Sequence, residues 1–153
     1  MRGEERREVI MNTRKNLTLR FVLGFALLTL TALAWAAGVQ LTCKADKSHK
    51  GATGAVTLSE NNIGIQAKGL RPNGVYTVWF VNMKPKKHEA GAGQAPYMFK
   101  TDGGGNGSYS STLSDSPFGK WEMIMIVLHP DGDPANMKKM VGALSTMIPK
   151  SGS

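Results

Sequence analysis

Between Val75 and Met83 apolar side chains occupy both parities: Val75, Trp79 and Val81 on one, Tyr76, Val78 and Phe80 on the other. The run is rich in β-branched and aromatic residues and is entered through the turn signal Gly69-Leu-Arg-Pro-Asn-Gly74. It predicts a central β-strand with cover on both faces. Segment 122–129 repeats the pattern, with Met123, Met125 and Val127 against Ile124, Ile126 and Leu128. Elsewhere the pattern is one-sided. Ile63, Ile65 and Ala67 alternate with Gly64, Gln66 and Lys68 after the Asn61-Asn62 turn, the mark of a half-buried strand. Gln40 to Ala45 and Ala55 to Ser59 predict two earlier strands. Tyr97 to Thr101 and Ser108 to Ser114 predict a hairpin around Asp102-Gly-Gly-Gly-Asn-Gly107.

Two stretches break this rhythm. Lys84 to Pro96 has almost no large apolar side chain and several Gly and Pro, so a surface loop is expected there. After His129-Pro-Asp-Gly-Asp-Pro134, the residues Met137, Met140, Val141 and Leu144 fall at helical spacing, with Asp133 placed to cap and Pro134 to start. A short late helix is expected, followed by a terminal strand from Leu144 to Ile148. The whole predicts an all-β fold: an antiparallel β-sandwich of seven to eight short strands, immunoglobulin-like, with a small barrel as the alternative. Of the central strand's two apolar faces, one enters the core. The other needs cover from the late helix, the loop after Lys84 or a second molecule.

The first quarter reads as an address. Arg14, Lys15 and Arg20 precede the apolar run Phe21 to Ala34, and Ala34-Trp35-Ala36 offers the small residues a signal peptidase reads, so residues 1–36 are expected to be a signal peptide. Met11 makes the more compact start. An uncleaved membrane anchor over Phe21 to Val39, giving a tethered sensor, is the alternative. Residues 37–153 then form a single exported domain, periplasmic or extracellular. It carries 13 basic and 8 acidic side chains, a net +5, which aids solubility and attraction to anionic surfaces. No aromatic-plus-basic motif accompanies that charge, so no specific nucleic-acid partner is expected. The single cysteine, Cys43, excludes an internal disulfide and is read as a small buried residue; pairing between molecules is its alternative.

Candidate chemistry is sparse. There is no G-x-S-x-G elbow, no Ser-x-x-Lys and no spacing that forms a triad, so the chain is not expected to be an enzyme and no cofactor is expected. Soft-metal ligands are more numerous: seven methionines follow residue 37, with His49, His88 and His129. His88, Met98, Met123, Met125 and His129 are the candidate copper ligands, since thioether and imidazole suit that metal. The competing reading makes Met123 and Met125 core filler and Met137 and Met140 a helix face, and it is preferred here. Asp131, Asp133 and Asn136 invite a calcium loop, but Ala135 stands where a third oxygen ligand belongs. Lys84, Lys86, Lys87 and His88 form a basic cluster suited to phosphate, anionic polysaccharide or an acidic partner.

Three pieces in order, Gly69-Leu-Arg-Pro-Asn-Gly-Val-Tyr-Thr-Val-Trp-Phe-Val81, Phe99-Lys-Thr-Asp-Gly-Gly-Gly-Asn-Gly107 and Ile126-Val-Leu-His-Pro-Asp-Gly-Asp-Pro134, resemble the extracytoplasmic C-terminal domain of bacterial anti-sigma-K-type regulators. The resemblance covers about half the chain and rests mostly on structural residues. It implies a sandwich fold and a sensing or protein-binding role. Sigma-factor inhibition does not carry over, because only about twenty residues precede the apolar run and the basic insertion after Lys84 departs from a compact strand connection. The expected function is therefore a non-enzymatic exported domain that binds a protein or an anionic cell-envelope component. A periplasmic copper-binding protein is the alternative.

Overall fold

The computed structural model describes residues 38–151, so the expected signal peptide and the alternative membrane anchor lie outside the described residues. Nine strands follow in order: β1 (Val39–Ala45), β2 (Thr53–Leu58), β3 (Asn62–Lys68), β4 (Val75–Asn82), β5 (His88–Gly91), β6 (Met98–Lys100), β7 (Gly107–Thr112), β8 (Met123–His129) and β9 (Val141–Met147). Every pairing is antiparallel. The expected antiparallel β-sandwich is what forms.

One layer runs β1-β2-β3-β7; the other runs from β5 through β4 and β8 to β9, with β6 beside β5 on the same edge of β4. β1 joins the two. Val39 to Cys43 pair with β2, and then Lys44 and Ala45 pair with β9. The core fills the space between the layers. β2, β3 and β7 contribute Val56, Leu58, Ile63, Ile65, Ala67 and Tyr109, while β4, β8 and β9 contribute Tyr76, Val78, Phe80, Ile124, Ile126 and Leu144. All of these obey the two-residue alternation of a strand with one face inward.

Local chemistry sets the turns. Asn73 takes the left-handed conformation at φ 53° before β4. Gly74 is needed for space, because a Cβ there would stand 2.8 Å from the Tyr76 ring. In the β6–β7 hairpin, Asp102 accepts from the Asn106 amide (2.8 Å), from the Asn106 side-chain Nδ2 (3.1 Å) and from the Gly104 amide (2.9 Å), which holds its carboxyl below the usual range.

Two expectations are corrected. The loop after Lys84 contains a ninth strand, β5, which pairs Asn82 with His88 and Trp79 with Gly91. The late helix is a single 3-10 turn, Met137–Lys139, and Val141 belongs to β9. Side chains in that segment cap successive turns instead of one helix: Asp131 accepts from the Asp133 amide, Asp133 from Ala135, and Asn136 from Lys138. These same contacts account for the residues that invited a calcium loop.

Candidate functional site

The two layers present opposite outer faces. On β1-β2-β3-β7 the outward rows include Gln40, Thr57, Gly64 and Ser110, then Thr42, Ala55, Gln66 and Ser108, and beyond them Thr53 opposite Lys68, with Lys44 on the same parity of β1. Hydroxyl, amide and lysine side chains of this kind make an ordinary hydrated sheet surface, with an open groove of about 560 Å³ that Lys68, Lys100 and Asp102 also line.

The outer face of the second layer is different. Its register lines up Met98, Thr77, Val127 and Gly142 in one row, Gly91, Trp79, Met125 and Ser145 in the next, and Glu89, Val81, Met123 and Met147 in the third. His129 stands opposite Val75 at the end of the ladder. Val75, Val81 and Val127 are buried yet lie outside the main core cluster, so this face has a buried layer of its own. Part of the cover comes from the segment after β5. The Tyr97 ring packs directly against the Cα of Gly91, where a Cβ would collide with it, and its centroid is 6.0 Å from Trp79.

Polar groups on this face are tied to Thr77. The Trp79 indole Nε1 donates to Thr77 Oγ1 at 2.8 Å, and His129 Nε2 lies 2.8 Å from the same oxygen. His129 is only 2% exposed, and among the described residues its Nδ1 is a buried side-chain nitrogen without a partner. Leaving such a group unpaired costs about 1–3 kcal/mol, so it needs a reason.

The methionines settle differently from the core-filler reading. None of the seven enters the buried core. Met98, Met123 and Met125 are half-buried on the outer face, and Met147 is 64% exposed there. That reading is overturned because each odd-numbered residue of β8 before Val127 points away from the space that Ile124 and Ile126 fill.

The five candidate copper ligands are thus partly gathered. Met98, Met123, Met125 and His129 share one face, with His129 four residues along β8 from Met125. His88 is elsewhere: it pairs with Asn82, on the parity of Phe80, and its ring stacks on Trp121 at 5.2 Å. Among the described residues no three His, Cys, Asp or Glu are grouped to hold a metal. The basic cluster is exposed at Lys84, Lys86, Lys87 and His88, and Lys87 is ion-paired with Glu89. Trp79, Thr77, Tyr97 and Met147 were not singled out from sequence as site residues. Only Trp79 left a signal, its parity with Val75 and Val81.

The remaining titratable groups have structural explanations. Burial pushes the Cys43 thiol up to about 11, which keeps it protonated and unreactive. His49, Tyr76, Ser48 and the Arg71 amide form a hydrogen-bonded chain at one end of the sandwich. Comparison with known proteins finds no matching family model, no matching curated protein and no matching solved structure. The reading of function therefore rests on this face.

Proposed function

We propose that the chain is a non-enzymatic binding domain, exported behind the leader expected over residues 1–36, whose working surface is the outer face of β4, β8 and β9. Its partner is a protein that lays apolar side chains across Trp79, Met98, Met125 and Met147. The observation that carries this reading is the contrast between the two outer faces, one polar with hydroxyl, amide and lysine side chains, the other thioether-rich and aromatic. Methionine suits such a surface because its three torsions and polarizable sulfur adapt to different partner shapes. A half-buried tryptophan whose Nε1 is already satisfied supplies a rigid anchor. The resemblance to the extracytoplasmic domain of anti-sigma-K-type regulators points the same way, toward protein binding.

The test is site-specific photocrosslinking in cells producing the full chain. A photoreactive residue at Met147 or Met98 is expected to give discrete adducts, and the same residue at Thr57 or Ser110 none. Equal capture from both faces, or none from either, would overturn the proposal.

A further inference from the structure

We propose that Met123, Met125 and Met147 form a binding site for a soft monovalent cation, copper(I). The inference goes beyond partner docking and rests on the arrangement of sulfur alone. Met123 and Met147 are directly paired across β8 and β9, and Met125 is paired with Ser145. These four residues are the corners of one rectangle on the outer face, three thioethers and one hydroxyl. Directly opposed residues stand about 5 Å apart, and same-face neighbours along a strand about 7 Å apart. The torsions of a methionine side chain let three sulfurs close that gap onto one ion. The ladder is regular here, since the bulge between β8 and β9 falls at Ile126 and Val127, beyond the rectangle.

The donor set selects the metal. Thioethers are neutral, soft ligands that favour copper(I) over zinc, calcium or magnesium, and no carboxylate or imidazole occupies a corner. Met147 is 64% exposed, so an ion has an open path, while Met123 and Met125 are half-buried against the sheet. Cys43 is no competitor, because its thiol is buried on the core side. The copper ligand set expected from sequence is thereby redrawn: Met123 and Met125 stay, Met147 and Ser145 join, and Met98, His88 and His129 fall outside.

Neutral ligands have no proton to lose, so uptake is independent of pH between 5 and 8. An imidazole site would weaken as pH falls below about 6.5.

The experiment uses silver(I), a redox-inert stand-in, followed by copper(I) under anaerobic conditions, on protein labelled with carbon-13 at the methionine methyls. The Met123, Met125 and Met147 methyl signals are expected to shift together and saturate at one equivalent, at pH 5 as at pH 8, while Met98 and Met137 stay in place. Met147→Leu is expected to weaken uptake at least tenfold, and Leu at all three positions to abolish it. Leucine keeps these exposed and half-buried positions apolar, so a circular-dichroism spectrum like the parent's separates lost ligands from lost fold. Shifts spread over every methionine, uptake that disappears at pH 5, or undiminished uptake by the triple variant would each overturn the site. Photocrosslinking from position 98 of the otherwise unsubstituted chain is scored separately from metal uptake, so the docking reading and the metal site can each fail without the other.

Discussion

Tyr76→Ala is expected to lower the unfolding free energy by about 4 kcal/mol, and Tyr76→Phe by about 2 kcal/mol, both measured by urea denaturation. Tyr76 is fully buried on the inward face of β4. Its ring stacks on Phe99 with centroids 5.5 Å apart and meets the His49 ring edge-on at 5.9 Å. Alanine removes all of that contact and leaves a cavity the rigid sheets cannot close. Phenylalanine removes only the hydroxyl, which accepts from the Arg71 amide at 2.8 Å and lies 3.0 Å from His49 Nε2. Ser48 Oγ donates its proton to the Gly142 carbonyl and so accepts from His49 Nδ1, which leaves Nε2 of the neutral imidazole to accept the Tyr76 hydroxyl proton. Removing one oxygen orphans a donor and an acceptor together. A Tyr76→Phe protein as stable as its parent would show that this chain of bonds contributes nothing net.

Acid acts on the same chain of bonds. Burial lowers the His49 pKa, outweighing the opposing pull of the Gly142 carbonyl and Asp46. The folded state therefore prefers neutral imidazole, and the unfolded chain binds the proton first. Stability is at its full value above the unfolded pKa of about 6.5 and is lost as pH falls from there through the folded pKa. Asp102 and Asp131, whose pKa values are also lowered, add a loss of the same sign only below about pH 4. Urea midpoints taken at intervals from pH 7.5 to 4.5 are expected to fall first near 6.5, and His49→Gln to remove that first step. A wild-type midpoint flat from pH 7 to 5 would contradict it.

How much of this was legible in the chain depended on side chains doing the work. β4 and β8 announced themselves because both of their faces are apolar, and β3 because its faces are not. β5 was invisible since its hold on β4 is backbone pairing, which needs no apolar pattern in His88 to Gly91. The helical spacing of the late segment has two sources, the 3-10 turn at Met137–Lys139 and a bulge in β9. Val141 pairs with Leu128 and Leu144 with Ile126, so both face inward although they lie three positions apart, because Ala143 adds a residue to β9. A bulged strand thus mimics the three-residue spacing of a helix. The outer face was half visible. The shared parity of Met123, Met125 and His129 can be read within one strand, but the places of Met98, Trp79 and Met147 beside them follow only from register.

Thr77→Val is expected to destabilise the protein by about 2 kcal/mol, while His129→Leu leaves stability within about 1 kcal/mol of the parent, both from urea denaturation. Thr77 Oγ1 serves two groups at 2.8 Å, Trp79 Nε1 and His129 Nε2. Valine keeps the shape and strands both, one half-buried and one buried. Leucine at 129 instead removes an imidazole whose Nδ1 is already unpaired, so a desolvation penalty disappears along with the Thr77 contact. In the double variant both partners are apolar. It is expected to recover about 1 kcal/mol of the Thr77→Val loss, the coupling that a double-mutant cycle reports for touching groups. His129 would then be a residue the fold does not require, sitting at the end of the face assigned to binding. If His129→Leu instead costs 3 kcal/mol or more, on the scale of a buried network broken open, the imidazole is a structural tie and lends that face no support.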